Sequence, residues 1–471
     1  MKFAFFDLET TGTSPAFDHP LQFAAILTDE KFQEIERVNL RCRLAPHVIP
    51  SPQALAVTGV KPHQLVDPEL PSLFEFAQDL TALVARWSPA IWTGFNSIRF
   101  DEEMLRQMFY QNLQPEVFAT QFHGNSRFDI MTAVFAVFQR HPDLFNWPID
   151  ETGRVRFKLE RLAPDNGFEG HNAHDALGDV EATIHMAGLI AKRTPDLWQQ
   201  LLANRDKGHV RAQLDPYAPL ELIGRFGGGP PKAIMGCLCG YAEKNPNQAY
   251  LFDLDAVDPQ DLIKASEVDL MTAMDREPRL LRSISVNKVP LLLPPVTVTD
   301  EHRRRARVLA EAPELRRRLI TAMTSRYATV IPAEPQHVEE QIFNGFYGWN
   351  DKAGLKEFQG ADWRRRQEIV AEFQDVRLRQ LGRRLLAIYA PKLLSEREQR
   401  QYSDWRRARW DATGEDEVEW MTLVKARQAI SEMRSAGLYD PEALTEIECF
   451  IDDFRFASHE QGEDLNVSAT E

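Results

Sequence analysis

The stretch that decides the fold is Phe5-Phe6-Asp7-Leu8-Glu9-Thr10-Thr11-Gly12. Residues 2–8 form a short apolar run that ends in a Thr-Gly turn, the pattern of a buried strand. Side chains two apart on a strand share a face, so Asp7 and Glu9 project together. Two adjacent carboxylates repel each other unless a proton or a cation lies between them. At the end of an apolar strand a divalent cation answers that repulsion. Two acids feeding a solvated turn would leave the same eight residues, so this stretch needs company.

Company appears at two places downstream. The first is Gly94-Phe95-Asn96-Ser97-Ile98-Arg99-Phe100-Asp101. Asp101 opens a predicted helix at residues 101–112, in which positions 101, 105 and 108 lie on one apolar face. A charge on that inward stripe needs a partner or a metal, although an acid at a helix start is also favoured by the helix dipole. The second is His171-Asn172-Ala173-His174-Asp175, with Asp179 following. Along a helix predicted for residues 174–192, Ala176, Asp179, Thr183, Met186 and Ile190 share a stripe, so Asp179 also points inward. His171 and His174 could suggest zinc, but a structural site needs four good ligands and the sequence offers no thiolate companions nearby. Asp7, Glu9, Asp101 and Asp179 together are the hard oxygen donors preferred by Mg²⁺ or Mn²⁺. Two such ions about 4 Å apart can clamp the attacking and leaving oxygens of a phosphodiester. His174, with an ordinary pKa near 6.5, can take the proton from the attacking water.

Around these motifs the chain alternates short strands (2–8, 21–28, 35–42, 90–95) with helices (73–87, 101–112, 174–192), which suits an α/β layer with a mixed sheet. Past residue 195 the texture changes. The breaker cluster Gly227-Gly228-Gly229-Pro230-Pro231 precedes strand-like runs at 233–239 and 250–255. Helical patterns dominate from residue 301, and the polar, acidic residues 459–471 are expected to be disordered.

At 471 residues the chain is long enough for two or three domains. No apolar run approaches the roughly 20 residues of a membrane span, and residues 1–7 lack a signal-peptide pattern. Four cysteines without metal-finger spacing suggest a reduced, cytoplasmic setting. The net charge of −15 is unevenly spread. Residues 1–195 hold 17 basic against 25 acidic side chains, whereas residues 303–407 hold 22 against 14. That basic stretch is expected to hold phosphates, a solvated helix surface being the plainer alternative. For Trp363, Tyr389, Trp405 and Trp410, aromatics that sit among basic residues, core packing is favoured over stacking on bases.

The three motifs, F-D-L-E-T-T-G, N-x-x-x-F-D and H-x-x-x-x-D, appear in the order found in the proofreading-type 3′–5′ exonucleases, the four-acidic-residue superfamily in its histidine-bearing branch. More closely, the chain resembles the bacterial exonuclease I family. The likeness runs through Asp18-His19-Pro20, Asn125-Ser126-Arg127-Phe128-Asp129, Asn146-Trp147-Pro148, Asn287-Lys288-Val289-Pro290 and Gln341-Ile342-Phe343-Asn344-Gly345-Phe346. It implies an α/β ribonuclease H-like exonuclease domain (1–195), a small SH3-like β-rich domain (196–340) and an all-α C-terminal domain (341–471). It also implies a monomer that closes around single-stranded DNA and degrades it from the 3′ end with two Mg²⁺ ions. Asp7, Glu9, Asp101 and Asp179 would be metal ligands, His174 the base, and Glu9, Lys158 and Arg106 would meet the substrate. Lys158 stands where the family has arginine, keeping the charge but losing the bidentate fork. Single-strand DNA-binding protein is an implied partner, although few of the family's basic positions for it are kept. An RNA-trimming or proofreading relative, or an inactive strand-binding scaffold, remains open on the motifs alone.

Overall fold

The computed structural model describes residues 1–169, 175–328, 337–413 and 418–453. The predicted disorder at 459–471 lies outside them, as do His171 and His174.

The N-terminal sheet has five strands in the order β3-β2-β1-β4-β5. They are β1 (Phe3–Thr10), β2 (Pro20–Thr28), β3 (Glu34–Arg41), β4 (Ile91–Gly94) and β5 (Ser126–Asp129). β1 runs antiparallel to β2 and parallel to β4, which makes the sheet mixed, as expected. Alternation along β1 builds both faces. Ala4, Phe6 and Leu8 join one core with the helix Leu73–Trp87, while Phe3 and Phe5 join another with the helix Ala176–Arg193. The helix Leu73–Trp87 has the bounds its periodicity predicts because Ser72 and Glu75 close a reciprocal capping box at its start.

A second sheet of five antiparallel strands, ordered β10-β6-β7-β8-β9, follows. Its strands are β6 (Leu220–Gly224), β7 (Lys232–Tyr241), β8 (Gln248–Asp253), β9 (Leu281–Ser285) and β10 (Leu292–Leu293). The helices Asp300–Glu311 and Pro313–Ala328 pack Ala306, Leu309, Leu315 and Leu319 against it. Helices then dominate, including Trp349–Gly360, Trp363–Glu372, Val376–Tyr389, Glu396–Asp411 and Leu423–Ala436.

The cores do not respect the expected boundary at residue 195. Leu197, Trp198, Leu201 and Leu202 are buried with Phe3 and Phe5, and Trp198 meets Phe3, Phe32 and Phe128 edge to face or tilted. On the other face, Trp410, Leu423, Ile430, Ile447 and Ile451 of the C-terminal helices complete the core around Phe6 and Leu8. A fragment ending at residue 195 would bare both surfaces, at about 1.5–3 kcal/mol for each large apolar side chain uncovered. Such a fragment is expected to lose cooperative thermal unfolding, which calorimetry beside the full chain would show.

Most of the basic clusters are engaged within the molecule. Arg303 pairs with Asp300, Arg304 with Asp258 and Glu301, Arg305 with Glu301, Arg317 with Glu314 and Arg318 with Glu267. Arg365 reaches Glu357, Glu368 and Glu372. Arg366 is buried against Phe74 and Trp363. The surplus of cations in residues 303–407 therefore overstates the free positive surface. Trp363, Tyr389, Trp405 and Trp410 pack, as favoured. Trp363 stacks on Tyr389, Trp405 meets His47, and Trp410 is buried.

Candidate active site

β1 carries Asp7 and Glu9 to the carboxyl end of the sheet on one face, opposite Ala24 and Gln22 of β2. A register shift between Glu9 and Thr10 then turns the chain away. Asp179 enters from the first turn of the helix Ala176–Arg193, whose buried stripe includes Ala176, Thr183, Met186 and Ile190, as its periodicity predicts. The result is a cluster in which carboxylate oxygens of Asp7, Glu9 and Asp179 all lie within 4.8 Å of one another.

Asp101 opens the helix Asp101–Gln111 and is buried beside this cluster. Its oxygens are not in the 4.8 Å group, but its charge acts on Asp7, and its carboxyl lies against the Leu8 backbone amide. Burial pushes Asp7 well above the usual carboxylate range, with the charges of Asp101, Asp179 and Glu9 adding to the effect. Burial, then Asp179 and Asp101, raises Glu9 to about 8. Asp101 is likewise raised to about 8, chiefly by burial. Three acids that resist ionisation, with the charge of Asp179 beside them, form a site that a cation would relieve.

These shifts have a sign. A carboxyl with a raised folded pKa binds more protons folded than unfolded, so it adds stability below its unfolded value. That contribution is lost as pH rises through the folded value. Without divalent cations the protein is therefore expected to melt at a lower temperature at pH 8 than at pH 5. Added Mg²⁺ should raise the melting temperature more at pH 8 than at pH 5. Calorimetry at both pH values, with chelator and with Mg²⁺, checks this. Equal melting temperatures would show that the carboxylates do not repel.

Asp129 is a buried acid that the motif reading did not assign. It caps the helix Ile130–Arg140 through Met131 N and accepts from the backbone N–H groups of Asn96 and Ile98. It thereby holds the turn that leads into Asp101, where Asn96 adopts a left-handed conformation (φ 69°). Beside it, Glu102 forms a buried ion pair with Arg127 at 2.6 Å, and Arg127 also donates to the Asn287 carbonyl. The only sequence signal for Asp129 is its place in the Asn125–Asp129 likeness, because a cap and a ligand look alike in one dimension.

The other expected site residues are placed as follows. Lys158 is largely exposed at the start of the helix Leu159–Asp165 and pairs with Glu160 at 3.2 Å. Arg106 is only 5% exposed; it pairs with Glu103 at 2.6 Å and lies 4.8 Å over the Phe118 ring. His174 is outside the described residues.

An exonuclease family model matches residues 4–187, and an exonuclease I C-terminal domain model matches residues 336–453. The chain is 30% identical to exodeoxyribonuclease I of Escherichia coli K12, over 86% of this chain and 89% of that one. It is 30% identical to the Haemophilus influenzae exodeoxyribonuclease I, over 92% and 96%. The chain belongs to the exodeoxyribonuclease I family. It is therefore a nuclease. The crystal structure of E. coli exonuclease I in complex with a dT13 oligonucleotide superposes with a TM-score of 0.82 at 27% identity, covering 97% of this chain and 99% of that chain. The carboxylate cluster of Asp7, Glu9 and Asp179 lies within the residues matched by the exonuclease model.

Proposed function

We propose that this exodeoxyribonuclease I family member removes 5′-mononucleotides one at a time from the 3′ end of single-stranded DNA, in DNA repair and recombination. The observation that carries the reading is the convergence of Asp7, Glu9 and Asp179 within 4.8 Å, with Asp101 buried alongside. A dT13 oligonucleotide bound to the E. coli relative supports the choice of strand.

The donor set fits Mg²⁺ or Mn²⁺, because it is all carboxylate and the charges of Asp101 and Asp179 push the pKa values of Asp7 and Glu9 upward. Bound there, two such ions would supply Lewis acidity to the attacking and leaving oxygens. Asp7, Glu9, Asp101 and Asp179 hold the site, with Asp129 fixing the turn that presents Asp101. Glu9 also faces the terminal nucleotide. His174 accepts the proton of the attacking water. Lys158 offers its ammonium to a phosphate, and Arg106 supports the Asp101 helix from within while lining the strand's route. The protein acts as a cytoplasmic monomer, and single-strand DNA-binding protein is its proposed partner.

The test is digestion of matched single-stranded DNA, duplex DNA and RNA, each labelled at the 5′ end, with Mg²⁺. A ladder that shortens from the 3′ end for single-stranded DNA alone supports the reading. Equal digestion of RNA would point to an RNA-trimming role, and no digestion to a strand-binding scaffold.

A further inference from the structure

Burying a guanidinium is costly unless every part of it is engaged. Arg409, on the helix Glu396–Asp411, is only 5% exposed. Its Nη1 lies 3.4 Å from Glu339 Oε1, a buried carboxylate that Arg384 also meets at 2.9 Å. The Arg409 guanidinium packs 4.5 Å from the Trp420 ring, 5.7 Å from Trp405 and 5.3 Å from Phe17. Trp420 Nε1 donates in turn to the Arg409 carbonyl at 2.8 Å. All of these partners belong to the C-terminal part except Phe17. That ring is buried in the turn that follows β1, where it also meets His337 and Trp420.

The turn is built around Asp18. The Asp18 carboxylate accepts from Thr11 Oγ1 at 2.8 Å and from the Ser14 N–H at 2.9 Å. It sits so tightly against Gly12 that a Cβ there would come within 2.5 Å of Asp18 Oδ2. Burial raises the Asp18 carboxyl above its ordinary range, and hydrogen bonds from Ser14 and Thr11 and the charge of Arg409 oppose the rise. The helix that Asp101 opens is tied to the same corner. Its last residue, Gln111, donates to the Ala16 carbonyl at 3.0 Å, and its Tyr110 donates to the Val338 carbonyl, next to Glu339, at 2.7 Å.

We propose that Arg409 is a positioning residue for the metal cluster: by gripping the Phe17–Asp18 corner it fixes the turn that follows Glu9, and so holds the Glu9 carboxylate in place. This deepens the proposed metal chemistry and rests on it. The β1–β2 register shifts between Glu9 and Thr10, so the sheet alone does not set where the chain goes after Glu9. The turn sets it, through Thr11 and Asp18, and Arg409 is the charged group that the C-terminal helices bring to that turn. Groups that orient a ligand without touching the ion are typically worth about 10–100-fold in metal affinity. The C-terminal helices thereby take part in shaping the cation site as well as in covering the core around Phe6 and Leu8.

The test reads metal binding without DNA. Free Mn²⁺ is followed by electron paramagnetic resonance as the ion is added to the full chain, to Arg409→Lys, to Asp18→Asn and to the double variant. Leu309→Ala, a core truncation beside the second sheet, serves as the comparison. Lysine keeps a charge for Glu339 but has no fork with which to hold Glu339 and the corner together. Arg409→Lys and Asp18→Asn are each expected to weaken Mn²⁺ binding by about 10-fold. The double variant should be little worse than either alone, because both changes break one connection. Leu309→Ala should lower the melting temperature and leave Mn²⁺ affinity unchanged. Unchanged Mn²⁺ affinity in a folded Arg409→Lys would overturn the proposal. So would losses that multiply in the double variant, and so would an equal loss in Leu309→Ala, which would make the effect one of stability alone. Should melting show that Arg409→Lys does not fold, Asp18→Asn decides, and unchanged affinity there overturns the proposal. Digestion of single-stranded DNA by wild type is scored separately. A wild type that binds Mn²⁺ but does not shorten the strand from its 3′ end would sink the proposed reaction and leave the role of Arg409 to the binding data.

Discussion

Replacing Asp7 or Asp179 with asparagine is expected to abolish cleavage of single-stranded DNA while leaving the fold intact. Each change keeps the shape of the side chain and removes one ligand charge from a cluster whose oxygens lie within 4.8 Å. A loss of several kcal/mol of transition-state stabilisation corresponds to a rate on the order of 10³-fold lower or less. The same substitution should raise the melting temperature of the metal-free protein. Burial and neighbouring charges hold Asp7 well above its ordinary pKa, so a neutral amide there relieves repulsion. Rate at saturating Mg²⁺ and melting with chelator check the two halves independently. Near-normal cleavage by either variant would sink the metal-ligand assignment.

His174→Ala is expected to slow cleavage by about 10²–10⁴-fold, the usual worth of a general base, without removing the dependence on Mg²⁺. Raising the pH should partly restore the variant's rate, because hydroxide needs less help from a base. A pH–rate profile beside wild type distinguishes this role from helix capping. Full activity at neutral pH would leave His174 as a cap and nothing more. The profile should flatten for the variant at the acid end, where wild type loses its base by protonation.

Much of the site was legible in one dimension because its parts are local patterns. Asp7 and Glu9 share a face through the two-residue period of a strand, and Asp179 joins an inward stripe through the period of a helix. Those periods also located β1, β2, the helix Leu73–Trp87 and the helix Asp101–Gln111 to within a residue or two. The short strand β4 was legible from its apolar run, whereas β5 was not. β5 has only four residues, Ser126–Asp129, and pairs in parallel with β4, a contact no neighbouring turn announces. Asp129 was missed for the same reason, since its partners Asn96 and Ile98 lie some thirty residues away.

Charge was the least reliable guide. Summing residues along the chain gives 303–407 a surplus of cations, yet Arg304 and Arg318 find acids about fifty residues away, at Asp258 and Glu267. A net charge has no memory of distance, whereas a Coulomb interaction depends on little else. Aromatic exposure was equally hidden. Trp410 and Phe346 are both aromatic residues in a helical, charged region, but one is 2% exposed and the other 99%. By itself the sequence determined the carboxylate set, the α/β layer that carries it and the family likeness, because those follow from spacing and backbone period. Only the tertiary structure decided how the cores run across the expected boundary at 195, which acids the arginines find and which rings face solvent. Each of these depends on what long-range packing covers, and packing is a property of surfaces brought together from distant parts of the chain.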